Sequence, residues 1–81
     1  MDEIYRRLAH IFRDVFEDES IAVAPELTAP EVPGWDSLSH IRLILEVQRA
    51  FGIKFAAAQT ANLKNVGELA ELIQAKTAAA A

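Results

Sequence analysis

The stretch WDSLSHIRLILEVQRAFG, residues 35–52, holds the pattern that decides the fold and the residue that points to a function. Leu38, Ile41, Ile44, Leu45 and Phe51 recur at helical spacing and predict one broad inner face, while Leu43 and Val47 carry apolar character further around the cylinder. A helix apolar over so much of its surface has to meet neighbours on more than one side. Chemistry marks its ends. Asp36 is placed to cap the free N–H groups of the first turn, Ser37 is then the first helical residue, and Gly52 is a natural C-terminal stop. The predicted helix runs from about Leu38 to Phe51.

Upstream, Ile4, Leu8, Ile11 and Val15, widened by Tyr5, Phe12 and Phe16, predict an amphipathic helix over roughly 3–16, with His10 at its rim. Asp2 and Glu3 suit the positive end of its dipole, and the acidic run Glu17-Asp18-Glu19 marks its stop. Residues 17–36 contain Pro25, Pro30, Pro33 and Gly34 and read as a 20-residue loop. Loops that long are uncommon in a compact domain and usually mean function or disorder. Ile21, Val23, Leu27, Val32 and Trp35 give it the side chains to lie ordered on a helical core.

Downstream, Ala56 to Leu63 is a short, Ala-rich helical turn at most, expected to be weakly held. Asn65 then caps a last helix, with Glu68 at capping-box spacing and Val66, Leu69, Leu72 and Ile73 as its inner stripe. The alanines at 78–81 have nothing specific to pack and should fray. No strand pattern or internal repeat interrupts this order. The expected fold is all-α: three main helices plus one short helix in a small four-helix bundle, spanning 1–77 as one domain with a long first loop.

Composition narrows the function. Eighty-one residues leave room for one small domain, and without cysteine it has neither a disulfide nor a thiolate metal site. His10 and His40 alone do not make a structural zinc site, so no metal is expected. The net charge of -4 and the absence of a Lys/Arg cluster argue against nucleic acid. No apolar run reaches the length of a membrane span, and MDEIYRRLAH lacks the apolar core of a secretory signal. The expectation is a cytoplasmic monomer. The charge is unevenly placed: residues 1–36 sum to -6, residues 37–81 to +2.

A serine opening a helix sets its hydroxyl beside unpaired N–H groups, where a phosphate ester on that oxygen would be stabilised. Ser37 therefore reads as a phosphate bearer. It lacks the G-x-S-x-G surroundings of a nucleophile, and His40 one turn later has no acid to orient it, so the chain reads as an enzyme's substrate and not as an enzyme. Asp36 and Ser37 taken alone would be ordinary capping residues.

At this point the sequence resembles the acyl carrier protein family. The resemblance rests on Asp36-Ser37-Leu38, on Ile41, Leu43 and Ile44 at the family's spacing, on Phe51-Gly52-Ile53 and on Asn65-Val66-Gly67-Glu68-Leu69; it covers essentially the whole chain and is strongest over 33–55. It implies that Ser37 receives 4′-phosphopantetheine from coenzyme A, added by a phosphopantetheinyl transferase with Mg²⁺. The arm's thiol would then carry an acyl group as a thioester to acyl-loading and acyl-processing enzymes. Asp36 matches the family's neighbouring acid and Leu38 its apolar anchor. The resemblance also implies that partners read the second helix and that an acyl chain can slip between the helices.

The departure from the family lies in charge. Fatty-acid-type carriers commonly show glutamates along the second helix, whereas here Arg42, Gln48, Arg49 and Ala50 stand in such places and Glu46 is the sole acid from 38 to 51. His40, Arg42, Glu46 and Arg49 are the expected partner-recognition residues. Since complementary charge governs encounter and partner choice, the expectation is a carrier for a dedicated biosynthetic enzyme set and not for bulk fatty-acid synthesis. Two alternatives stay open: an aminoacyl or peptidyl carrier, although Gly34-Trp35 replaces the Gly-Gly common there, and a helical interaction module without a prosthetic group.

Overall fold

The apolar periodicity of the first segment produces a 15-residue helix, α1 (Asp2–Phe16), whose buried centre is Leu8, Phe12 and Val15, with Ile4, Tyr5, Ile11 and Phe16 around it. A computed structural model describes residues 2–80, with side chains through residue 78. Next come α2 (Ser37–Phe51), the five-residue α3 (Ala57–Ala61) and α4 (Val66–Ala80), with no strand among the described residues. The fold is all-helical, with three long helices and one short one. α4 continues through Ala80, across most of the alanine tail, and residue 81 lies outside the described residues.

Leu43, Ile44 and Val47 of α2 join one buried cluster with Leu8, Phe12 and Val15 of α1 and with Val66, Leu69, Ala70 and Ile73 of α4, and α1 is the helix that meets both α2 and α4. This corrects the predicted inner face. Ile44 is buried, but Leu38, Ile41 and Leu45 are 79%, 58% and 56% exposed and form an outward apolar stripe. The helix was apolar on too many sides for spacing to orient it, and packing against α1 within the shared core chose the 43/44/47 edge.

The long loop is ordered against this core. Ile21 and Val32 are buried, and a short 3-10 turn at Ala29–Glu31, hidden from a pattern reading by Pro30, is braced by the Glu31 carboxylate, which accepts from the Thr28 N–H and hydroxyl. The loop also caps α4: the Val66 and Gly67 N–H groups donate to the Leu27 and Pro25 carbonyls at 2.9 and 3.0 Å. A Cβ on Gly67 would stand 3.1 Å from the Pro25 oxygen, so glycine permits this close approach. Asn65 Oδ1 accepts from the Glu68 N–H as the capping box predicts, but the Glu68 carboxylate returns to the Lys64 N–H, not that of Asn65.

α1 and α2 end in the same way, each with a left-handed residue and a hydrogen bond reaching back five residues. Glu17 (φ 52°) lets the Asp18 N–H reach the Arg13 carbonyl, and Gly52 (φ 66°) lets the Ile53 N–H reach that of Gln48. Only Gly52 suits its conformation. Glu17→Gly is therefore expected to stabilise the fold by about 0.5–1 kcal/mol and Gly52→Ala to destabilise it by about 1 kcal/mol, in urea unfolding.

Candidate functional site

The site begins with the entry to α2. Gly34 (φ 88°) turns the chain, and Asp36 then stands as N-cap in extended backbone. Its carboxylate accepts from the Ser39 N–H at 3.0 Å, and the Ser39 hydroxyl oxygen accepts from the Asp36 N–H at 2.8 Å. Serine at this position in place of the usual Glu or Gln closes the box. The donors of Ser39, first its N–H and then its hydroxyl, hold the Asp36 carboxyl below the usual aspartate value. Ser37 follows immediately, exposed, as the first residue of the helix, at the positive end of the α2 dipole.

A cavity of about 520 Å³ opens beside Ser37, with Trp35, His40 and Ile41 on one side, Thr60, Ala61 and Leu63 on the other, and Leu69 of the core also on its wall. Trp35 is the loop's anchor, as its size suggests: its ring meets Phe12 edge-on at 5.3 Å and lies 5.9 Å from Phe16. It also donates from Nε1 to His40 Nδ1 at 3.1 Å. The other ring nitrogen of His40 lies 3.0 Å from the Thr60 carbonyl oxygen. The first bond leaves Nδ1 as acceptor, so the proton sits on Nε2 and is donated to Thr60.

The expected site residues thus separate. Asp36, Ser37 and His40 come together around the cavity, but His40 is half-buried with both nitrogens engaged. It makes no hydrogen bond to Ser37 among the described residues, and it is half-buried instead of lying on an exposed face of the helix. Leu38 faces outward and not onto the inner face where its spacing put it. Arg49 pairs with Glu46 at 3.6 Å, whereas Arg42 is exposed and has no ion pair among the described residues. Gln48, read as a missing surface acid, is half-buried and accepts the Phe55 N–H at 2.8 Å, holding the turn after α2. Ser39 and Thr60 escaped the sequence reading, and Gln48 was read only for the charge it lacks. Ser39 carried a faint signal, three residues after an N-cap; Thr60 acts through a backbone carbonyl, which no side-chain pattern announces.

Comparison with known proteins agrees with this geometry. A family model described as a phosphopantetheine attachment site matches residues 6–73. The chain is 31% identical over 78 residues to an acyl carrier protein of Amoebophilus asiaticus, covering 96% of this chain and 98% of that protein. It is 29% identical over 79 residues to an acyl carrier protein of Acidothermus cellulolyticus, covering 98% and 94%. The solution structure of a holo acyl carrier protein from Geobacter metallireducens superposes with a TM-score of 0.88 at 43% identity, covering 94% of this chain and 87% of that one.

The lowered Asp36 carboxyl has a consequence for stability. Its contribution is complete above the ordinary aspartate value of 3.8 and is lost as pH falls from there through the lower folded-state value. Asp36→Ala should melt below the parent chain at neutral pH, and the gap should narrow as acid protonates the parent's Asp36. Thermal unfolding followed from pH 7 downward checks this.

Proposed function

This chain belongs to the phosphopantetheine-attachment family that includes the acyl carrier proteins, and on that premise we propose that Ser37 is the attachment residue. Family membership brings a covalently attached 4′-phosphopantetheine, a carrier role with no catalysis of its own, and work with a phosphopantetheinyl transferase and acyl-processing enzymes. The observation that carries the assignment is the exposed Ser37 at the first position of α2, at the edge of the 520 Å³ cavity. The residues suit the group: a phosphodiester on Ser37 would lie at the N–H end of α2, and the cavity would offer it a partly apolar recess. In the transfer, the Ser37 oxygen bonds to phosphorus, the pyrophosphate bond of coenzyme A breaks with the nucleotide as leaving group, and the hydroxyl proton passes to the transferase. The bound group supplies a flexible arm whose thiol holds an acyl group as a thioester. Asp36 and Ser39 hold the helix start that presents Ser37.

The surface of α2 supports a dedicated enzyme set as partners. Leu38, Ile41 and Leu45 form an exposed apolar stripe, Arg42 stands beside it without an ion pair among the described residues, and the Arg49 charge is partly offset by Glu46. A partner with a basic docking patch would meet Arg42 as a like charge, which slows encounter.

Incubation with coenzyme A and a broad-specificity transferase should add one phosphopantetheine to the intact mass and none to Ser37→Ala; an equal gain in that variant would place the attachment elsewhere. Acyl transfer to the holo form by a housekeeping fatty-acid enzyme should be slow and should quicken roughly tenfold in Arg42→Glu, the scale of about 1.4 kcal/mol of interface electrostatics. Efficient transfer to the parent chain would remove the case for a dedicated set.

A further inference from the structure

α3 is held to the bundle by little. Ala57, Ala58, Gln59 and Ala61 are exposed, and the Thr60 hydroxyl turns back to the Ala57 carbonyl of its own helix. Among the described residues, the one hydrogen bond that joins α3 to another helix runs from His40 Nε2 to the Thr60 carbonyl. His40 is itself held by Trp35, whose ring is set against Phe12 and Phe16 of α1. A single chain of donors, Trp35 to His40 to Thr60, therefore connects α1, the start of α2 and α3.

His40 and Thr60 both line the cavity beside Ser37. The cavity opens between the start of α2 and the end of α3, and an apolar group moving from it deeper between the two helices has to part the His40–Thr60 bond that joins them. It has no polar atom to offer in exchange, so it leaves a shielded N–H and a shielded carbonyl unpaired. Unpaired groups of that kind disfavour a state by roughly tenfold to a hundredfold. Ala61, in contrast, puts little bulk in the way.

We infer that His40 is a gating residue which, through its bonds to Trp35 and Thr60, keeps the group tethered at Ser37 from passing beyond the cavity and deeper between α2 and α3. The inference rests on the reading that Ser37 bears the arm. It assigns His40 a task distinct from surface recognition: the closed chain leaves the cargo displayed to partner enzymes, and a partner that draws the Thr60 segment away opens the interior.

The test uses the full chain carrying a solvent-sensitive fluorophore on pantetheine, supplied as the coenzyme A conjugate and loaded by a broad-specificity transferase. In the parent chain the emission should lie close to that of the free conjugate in buffer. His40→Leu removes both bonds and should raise the inserted fraction about tenfold, seen as a blue shift. His40→Gln, whose amide can accept from Trp35 and donate to Thr60, should return the emission to the parent value, a rescue that loss of stability alone would not produce. Trp35→Phe keeps an aromatic ring against Phe12 and Phe16 but removes the indole N–H together with part of the ring's bulk, so it should shift emission in the same direction by a smaller amount, and it carries the test alone if His40→Leu does not fold. Equal emission in the parent and in every folded variant, or His40→Gln behaving as His40→Leu, would overturn the gate. Failure of the conjugate to load, read from the intact mass, would overturn the carrier reading and the gate with it.

Discussion

The docking of the long loop onto the start of α4 is the constraint from which the site follows. The first N–H groups of a helix have no partner within the helix. In α4 two of them are satisfied by loop carbonyls, Val66 by Leu27 and Gly67 by Pro25. The absence of a side chain on Gly67 lets the Pro25 oxygen come this close. With its middle fixed to α4, the loop can bury Ile21 and Val32 and deliver Trp35 against Phe12. Trp35 in turn sets where Asp36 begins α2 and where Ser37 reaches solvent.

The chain has no cross-link, and its core is a single cluster shared by α1, α2, α4 and the loop. That distribution gives the protein two kinds of region. The long helices bury Phe12, Leu43, Val47, Leu69 and Ile73 completely or nearly so, whereas α3 contributes only Thr60 as a buried residue. Segments with few buried apolar contacts open at lower free energy than the core around them. The weakest part of the bundle thus borders the cavity beside Ser37, so change can occur there while the three long helices stay in place.

Charge placement adds a second division. Of the net -4, the acidic excess lies in the loop, where residues 17–36 carry six acids and no base, while α1 balances three acids with three bases and the segment around the outward face of α2 is slightly basic. Part of that difference is structural and not a message to partners. Gln48 is turned to the Phe55 N–H, and Arg49 lies by Glu46. Arg42 remains as the cation beside the exposed stripe of Leu38, Ile41 and Leu45.

Local chemistry made much of this readable from residue order alone. The helix ends at Asp36, Gly52 and Asn65, the apolar period of α1, the packed nature of the loop and the setting of Ser37 all depend on neighbours within a few positions, which the sequence lists directly. What depended on distant contacts was decided by the tertiary structure. α2 is apolar around most of its circumference, so periodicity offered several faces, and only packing into the core shared with α1 buried Leu43, Ile44 and Val47 and left Leu38, Ile41 and Leu45 outside. His40 looked like a surface residue because its partners are an indole five positions earlier and a backbone carbonyl twenty positions later. The order of residues thus determined the helices and placed the serine; the meeting of α1, α2 and α3 determined which side chains surround it, because burial and hydrogen bonding between remote segments follow from three-dimensional packing and from no local pattern.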